Sequence, residues 1–266
     1  RLNVPGLARS HGWWNRIIAG DFTGSGHTEF IVGNLGLNGH LHASVGEPVQ
    51  MYVNDFDHNG IVEQIVTEYN GGTSYPVTLR DDLIRALPYL KAHYPGYRQY
   101  AGQRITDVFT AAELDGAVVD TVETFATSLV RNDGHGRLTL VALPRDAQTS
   151  PVYGIAVRDL DGDGHPDLLI AGNFDGFKPE YGRMAAMSGL ALRGDPSRCR
   201  AQDVDCEPFA PLRAAESGFY VPGQTRDIAP VRTRAGTVIV VARNNDRPLF
   251  FRPAGASARP TTLARR

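Results

Sequence analysis

Three segments of the chain share one plan: a short apolar run, an acidic loop that contains glycine, and a second apolar run. They are 17–34 (IIAGDFTGSGHTEFIVGN), 51–69 (MYVNDFDHNGIVEQIVTEY) and 155–173 (IAVRDLDGDGHPDLLIAGN). The apolar runs are rich in strand-forming residues and a tight polar turn separates them, which is typical of a β-hairpin. Repetition of one hairpin unit restricts the chain to a repeat-built β architecture.

Further strand signals lie between and after these repeats. Residues 128–144 have the pattern of a hairpin that turns at 132–134, and strand-like runs follow at 238–242 and 249–252 with a turn at 234–236. The chain also has 29 glycines and 17 prolines, which suit many turns. We therefore predict an all-β fold of repeated short strands.

One segment, residues 75–117, departs from the β pattern. Thr78 and Asp81 have the spacing of a capping box, and Pro88 must kink or end the helix that follows. A second capping box begins at Thr110 and starts a shorter helix. The residues that recur at helical spacing are Leu79, Leu83, Ala86, Leu87 and Leu90. We predict a helical insertion between strands.

The acidic loops have the composition of metal sites, because carboxylates this close together repel one another unless a cation lies among them. Their oxygen ligands favour calcium, which takes six to eight oxygens, over zinc. An EF-hand requires a glutamate at position twelve. Counted from Asp21, Asp55 and Asp159, position twelve is apolar and the last acid is at position nine. The spacing therefore predicts a calcium loop inside a β-hairpin.

With these loops the chain resembles the FG-GAP or VCBS repeats of integrin-α-like β-propellers, in which such a loop joins two strands of a blade. Segments 12–38, 78–90, 129–138 and 217–223 also look like a bacterial group of VCBS-repeat proteins related to the ASPIC/UnbV type. The resemblance implies that residues 1–266 form one β-propeller domain or propeller segment. The length suits about four blades, either as a closed ring or as part of a larger propeller.

The resemblance also implies the calcium ligands, which are side chains at positions one, three, five and nine and a main-chain carbonyl at position seven. The 159 loop supplies Asp159, Asp161, Asp163, His165 and Asp167; the 55 loop supplies Asp55, Asp57, Asn59, Ile61 and Glu63; the 21 loop supplies Asp21, Thr23, Ser25, His27 and Glu29. Because affinity follows ligand charge, we predict the order 159, 55, 21. The alternative is a solvated acidic turn, and hydroxyl hydrogen bonds could hold the 21 loop without metal.

Composition narrows the classes of partner and compartment. The 27 basic and 29 acidic residues give a net charge of −2, so no nucleic-acid partner is expected. No apolar run approaches the roughly 18 residues of a membrane span. The chain begins at Arg1 without a methionine, which we interpret as a processed or partial chain. Cys199 and Cys206 either close a small disulfide loop in an oxidising compartment or remain reduced thiols.

Binding motifs are few, and each has a structural alternative. The triplet at 193–195, Arg-Gly-Asp, is either a cell-attachment motif or a structural turn. The aromatic residues form either a sugar-binding face or packing contacts; they are Trp13, Trp14, Tyr89, Tyr94, Tyr97 and Tyr100. Five histidines occur in turn-like surroundings and are expected at the surface; they are His11, His27, His40, His42 and His135.

No GxSxG, HExxH or P-loop motif occurs in the sequence, so catalysis has no sequence support. We therefore expect a calcium-stabilised, non-enzymatic module for binding, adhesion or assembly, located outside the cell, in the periplasm or at the cell surface. Its partner would be a cell-surface protein or glycan, or a second copy of the chain. The alternative is a carbohydrate-directed propeller, either a lectin or an enzyme acting on polysaccharides.

Overall fold

The computed structural model describes residues 4–199, 203 and 205–253. They divide into two units. Unit 1 contains residues 4–8, 14–39 and the described residues from 126 onward, and unit 2 contains residues 9–13 and 40–125. Residues 40–125, which make up most of unit 2, thus form one continuous segment between two parts of unit 1 in the sequence.

Regular structure is mostly β. The strands are β1 (Arg16–Gly20), β2 (Glu29–Gly33), β3 (Val49–Asn54), β4 (Glu63–Asn70), β5 (Thr73–Pro76), β6 (Val118–Val122), β7 (Ser128–Asn132), β8 (Leu138–Ala142), β9 (Val152–Arg158), β10 (Asp167–Gly172), β11 (Leu190–Gly194), β12 (Phe209–Leu212), β13 (Thr225–Thr233), β14 (Gly236–Arg243) and β15 (Leu249–Phe251). The helices are α1 (Arg80–Ala86), α2 (Tyr97–Tyr100), α3 (Ile105–Val108), α4 (Ala111–Leu114) and α5 (Ala214–Ser217), with 3-10 turns at Pro88–Ala92, Arg145–Gln148, Pro179–Tyr181 and Pro196–Arg198.

Unit 1 contains three antiparallel sheets. Their strand orders are β1-β2-β7-β8, β12-β11-β10-β9 and β13-β14-β15. The three sheets adjoin at β9, which contacts both β1 of the first sheet and β13 of the third. In the first sheet, β2 pairs with β7 in the register Phe30↔Val130, although unit 2 separates these strands in sequence. The all-β prediction is confirmed at the level of sheets.

The core of unit 1 includes apolar residues from the runs that flank the 21 and 159 loops. Every residue of β10 is buried, because this interior strand is covered on both faces. Phe22, the second residue of the 21 loop, is fully buried and its ring centroid lies 6.0 Å from that of Phe209. The strands that follow the two loops, β2 and β10, therefore belong to the core, whereas Ile17 of β1 is exposed. The loops themselves lie at the ends of the strands.

Unit 2 combines one antiparallel sheet, in the order β5-β4-β3-β6, with helices α1 to α4. The helices lie within the predicted insertion at 75–117 and pack on the sheet through a second apolar core. Phe56, the second residue of the 55 loop, stacks on Phe109 with ring centroids 4.4 Å apart. None of the helices in the described part of the chain has the length and apolar composition needed to span a bilayer.

The ends of the helices agree only partly with the sequence prediction. The capping box predicted at Thr78 and Asp81 is wrong: α1 has Leu79 at its N-cap, in an extended conformation and without a side-chain cap. The reason is that the helix begins one residue later than its apolar spacing suggested. Pro88 ends α1 as predicted and opens a 3-10 turn. The box at Thr110 is confirmed, since Thr110 accepts from the Glu113 amide at 3.3 Å.

Loss of the Thr110 cap should destabilise unit 2. Thr110→Ala removes the hydroxyl that accepts from the Glu113 amide and also donates to the Glu113 carboxylate at 2.7 Å. We expect the free energy of unfolding, measured by urea denaturation, to fall by about 1 kcal/mol. Thr110→Ser keeps the hydroxyl and is the matched control. Equal stability of the two variants would contradict the assigned cap.

Cys199 and Cys206 form a disulfide, with 5.5 Å between their Cα atoms. The disulfide, rather than two reduced thiols, is therefore what the structure has at these cysteines. The bridge closes the segment between β11 and β12, where the chain leaves the second sheet of unit 1 and returns to it.

Candidate metal sites

Each acidic loop joins two adjacent strands of a four-stranded sheet. The 21 loop joins β1 to β2, the 55 loop joins β3 to β4, and the 159 loop joins β9 to β10. The strand pairs are regular on both sides of the loop, with Gly20↔Glu29, Asn54↔Glu63 and Arg158↔Asp167 as the last partners. The last acid of every loop is therefore also the first residue of a strand, and pairing fixes its position.

The three loops share one pattern of internal hydrogen bonds. In each, the first acid accepts the amide of a glycine at position six, which has a positive φ. The acid at position nine accepts the amide of the apolar residue at position two. The glycines are Gly26, Gly60 and Gly164, and the apolar residues are Phe22, Phe56 and Leu160. A glycine suits position six because it adopts positive φ without strain.

In the 159 loop, carboxylate oxygens of Asp159, Asp161 and Asp167 lie within 4.8 Å of one another. Asp159 accepts the amides of Gly162 at 2.7 Å and Gly164 at 3.1 Å. Asp163 lies outside this cluster and accepts the His165 amide at 2.8 Å. Three of the four predicted carboxylates thus converge, and the fourth supports the turn.

Asp167 is the buried anchor of this site. Its Oδ2 accepts the Leu160 amide at 2.7 Å, and its Oδ1 accepts the Gly194 amide from β11 at 2.9 Å. Burial is the main cause of a raised pKa of Asp167. The charges of Asp161 and Asp163 also raise this pKa, whereas the hydrogen bonds from the two amides lower it, and the net shift is upward. A cation among these carboxylates would relieve both effects.

The 55 loop forms a second cluster of the same kind. Carboxylate oxygens of Asp55, Asp57 and Glu63 lie within 4.8 Å of one another. Asn59 donates from its side chain to Asp57 at 3.0 Å and accepts the Ile61 amide at 2.7 Å. The predicted ligands at positions one, three and nine therefore converge here too, while Asn59 is occupied with its own turn.

The 21 loop is held by its own side chains. Thr23 donates its hydroxyl to Glu29 at 3.0 Å, and Glu29 also accepts the amides of Phe22 and Thr23. Ser25 accepts the His27 amide at 3.3 Å. The Arg131 guanidinium lies 3.9 Å from the fully buried Glu29 carboxylate and supplies a positive charge beside it. This geometry fits the prediction of a turn held by hydroxyl groups without metal.

The carbonyl ligands assigned to His27, Ile61 and His165 stay predictions. The side chain of Ile61 is exposed, and so is that of His165. The His27 ring lies against Gly134 in the turn between β7 and β8, where a Cβ on Gly134 would be 2.2 Å from its Nε2. The His27 side chain is thus a packing element between two turns.

The Arg-Gly-Asp triplet belongs to the support of the 159 loop. Gly194 is buried at the end of β11, and a Cβ there would be 2.2 Å from the Pro166 carbonyl oxygen. Asp195 accepts the Ser197 amide at 3.0 Å and caps the 3-10 turn that follows. This geometry gives the glycine and the aspartate structural roles.

The predicted aromatic residues do not form one face. Tyr94 is buried in the core of unit 2, and Trp13 packs edge-on against Phe125 with centroids 5.2 Å apart. Tyr89 is bonded to Glu113, which raises the pKa of its hydroxyl together with burial, the larger cause. Tyr97 remains half exposed.

Sequence patterns missed a buried carboxylate in unit 2. Glu123, only 5% exposed, accepts from His11 Nδ1 at 2.9 Å and from Arg9 Nε. Burial acts to raise the pKa of Glu123, but the hydrogen bonds from His11 and Arg9 outweigh it and lower the pKa below its ordinary 4.5. These partners are more than a hundred positions apart, so no local motif reveals the cluster.

This cluster should make stability depend on pH. The folded pKa of Glu123 is lowered, so its stabilising effect is fully present above the unfolded pKa of about 4.5 and is lost as pH falls through the folded pKa. At pH 7, Glu123→Gln should lower the free energy of unfolding by about 1 to 2 kcal/mol, since both partners are partly solvated. Below pH 4, the difference in the free energy of unfolding between variant and wild type, measured by urea denaturation, should become smaller.

The control for this effect is Glu47→Gln, an exposed glutamate of the same unit. We expect it to change stability little at either pH. A stability difference for Glu123→Gln that is constant with pH would show that the carboxylate charge has no part in holding His11 and Arg9.

The oxygen-only clusters of the 55 and 159 loops can hold a metal ion, and their ligand chemistry fits a hard divalent cation. Comparison with protein-family models, with curated proteins and with solved structures finds no match to this chain.

Proposed function

We propose that the 159 and 55 loops bind calcium. The observation that carries this is the convergence of three carboxylates in each loop to within 4.8 Å, on strand ends that pairing holds in place. Magnesium requires a tighter octahedral shell and keeps its waters, whereas a loop of main-chain and carboxylate oxygens suits calcium. Thermal unfolding should therefore respond to millimolar calcium far more than to equal magnesium. An equal response to both ions would overturn the choice of calcium.

The proposed affinities fall in the order 159, 55, 21. The 159 loop carries four acids and the 55 loop three, and both keep a converged triad. The 21 loop has two acids, and its Glu29 already accepts bonds from Thr23 and Phe22 beside the Arg131 cation. Because a guanidinium competes with a metal ion for the same carboxylate, we propose that the 21 loop stays without metal.

We also propose that the sheets are blades of an FG-GAP or VCBS type β-propeller, complete or part of a larger one. Two features support this proposal. Each four-stranded sheet contains one hairpin with an acidic nine-residue loop. In unit 1, β9 of the second sheet also contacts β1 of the first sheet and β13 of the third, as the inner strands of neighbouring blades do around an axis.

The function that follows is a calcium-stabilised module for extracellular binding, adhesion or assembly. Calcium outside cells is millimolar and saturates weak sites of this class, and the Cys199–Cys206 disulfide suits the same compartment. Calcium in this role fixes hairpins and performs no chemistry. The partner would be a protein or glycan at the cell surface, or another copy of the chain.

The second candidate is a carbohydrate-directed propeller. A polysaccharide-degradation assay combined with a glycan array distinguishes the two candidates. Release of sugar products would overturn the non-enzymatic module. Glycan binding without product release would identify the module as a lectin. The absence of both glycan binding and product release would favour a protein partner or self-assembly.

A further inference from the structure

Unit 2 contains a cavity of about 570 Å³ that none of the metal loops enters. Its walls are the end of β4, the segment from β5 to the start of α1, and the segment from α2 to Gln103. A cavity of this size holds a ligand of about two or three sugar rings. The cavity lies wholly within unit 2.

Hydrogen bonds fix the walls in place. The Tyr100 hydroxyl donates to the Thr78 carbonyl at 2.7 Å and so joins α2 to the segment before α1. Arg80 donates its Nε to the Tyr94 carbonyl at 2.8 Å, and its guanidinium is also paired with Asp81. The side chain of Arg80 is largely buried, and the Asp81 carboxylate balances its charge.

The residues that line the cavity include one partly exposed aromatic ring and several polar side chains. The Tyr97 ring is 49% exposed, with the Arg80 guanidinium 5.9 Å from its centroid. Glu68 uses Oε1 to accept the His42 amide at 2.7 Å, and within the described chain its Oε2 has no partner. The side-chain amides of Asn70 and Gln103 supply further donors and acceptors.

We infer that this cavity binds a neutral oligosaccharide. A sugar ring has apolar C–H faces that stack on an aromatic ring and hydroxyls that both donate and accept, and the lining offers both complements. Glu68 supplies the one carboxylate of the lining and lies 3.3 Å from His42 Nδ1, whereas the one cation of the lining, Arg80, is paired with Asp81. A uronic acid would meet repulsion from Glu68, so the ligand is uncharged. The inference rests on the proposed binding function and names the class of its ligand.

The test is calorimetry of the full chain with three neutral trisaccharides, of glucose, mannose and galactose, and with trigalacturonic acid. At least one neutral trisaccharide should bind, and the acidic one should bind at least tenfold more weakly. Tyr97→Ala and Glu68→Gln should each weaken binding at least tenfold, whereas Tyr97→Phe should keep it. Tyr220→Ala, an exposed tyrosine of unit 1, is the matched control and should stay within twofold.

Three results would overturn the inference: no binding of any neutral trisaccharide, equal binding of the acidic one, or binding that a folded Tyr97→Ala variant retains in full. Thermal unfolding of the same samples with and without calcium keeps this inference separate from the proposed function. If no sugar binds but calcium still raises the unfolding temperature, only the proposed sugar site is wrong. Sugar binding without any calcium response overturns the calcium sites alone.

Discussion

Asp161→Asn is expected to remove most of the calcium-dependent rise in the thermal midpoint of unfolding. Asparagine keeps an oxygen that can accept the Asp163 amide, as Asp161 does at 3.2 Å, so the turn survives while a charged ligand is lost. A site at a calcium concentration of about 100 times its Kd stabilises the folded state by roughly 2.7 kcal/mol. For a chain of this size that corresponds to a shift of roughly 5 to 10 °C.

Position three of the other two loops supplies a matched series. Asp57→Asn should remove a smaller part of the calcium effect, because the 55 loop is the weaker proposed site. Thr23→Ala should leave the calcium effect unchanged and should instead lower stability without calcium, because it deletes the bond to Glu29. Asp120→Asn, an exposed aspartate in β6, controls for the charge change. Equal losses at Asp161, Asp57 and Thr23 would contradict the graded assignment.

Gly172→Ala should have the largest effect of any single methyl group added to unit 1. Gly172 ends β10 at a bulge, and a Cβ there would lie 1.6 Å from the Pro151 carbonyl oxygen. The Pro151 carbonyl accepts the Asn173 amide at 3.0 Å, and Gly172 pairs with Val152, so neither residue can move away without breaking these contacts. We expect a loss of about 4 kcal/mol or more in the free energy of unfolding, or failure of unit 1 to fold.

The control for this variant is Gly46→Ala, where a Cβ would meet nothing within 4 Å and φ is not positive. It should change stability by no more than about 0.5 kcal/mol. Urea denaturation of both variants measures the difference. A Gly172→Ala variant as stable as Gly46→Ala would show that β9 and β10 do not approach each other as described.

The hairpins could be predicted from the sequence because each depends on residues close together in the chain. The apolar runs beside the 159 loop became β9 and β10, and the spacing of acids placed three carboxylates together. The pairing of β2 with β7 could not be predicted, because it joins strands on either side of unit 2. Such pairing depends on long-range packing that local patterns do not encode.

The candidate site was likewise predictable only in part. Acid spacing predicted three acids that converge in the 159 loop, but the bond that the Gly194 amide donates to Asp167 comes from a neighbouring strand and has no sequence signal. The apolar residue at position two of each loop is a further signal that the spacing of acids does not use. Phe22 is buried in the core of unit 1 and Phe56 in the core of unit 2. The start of α1 was missed because Leu79, which a cap at Thr78 would have made the first helical residue, is still extended, and the helix begins at Arg80.

Isothermal titration of calcium into the metal-free full chain tests the central claim most directly. Wild type should bind two calcium ions, one more tightly than the other, and the Asp161→Asn variant should lose the tighter one. No binding, or a tight site that survives in Asp161→Asn, would contradict the assignment of the 159 loop as the principal calcium site.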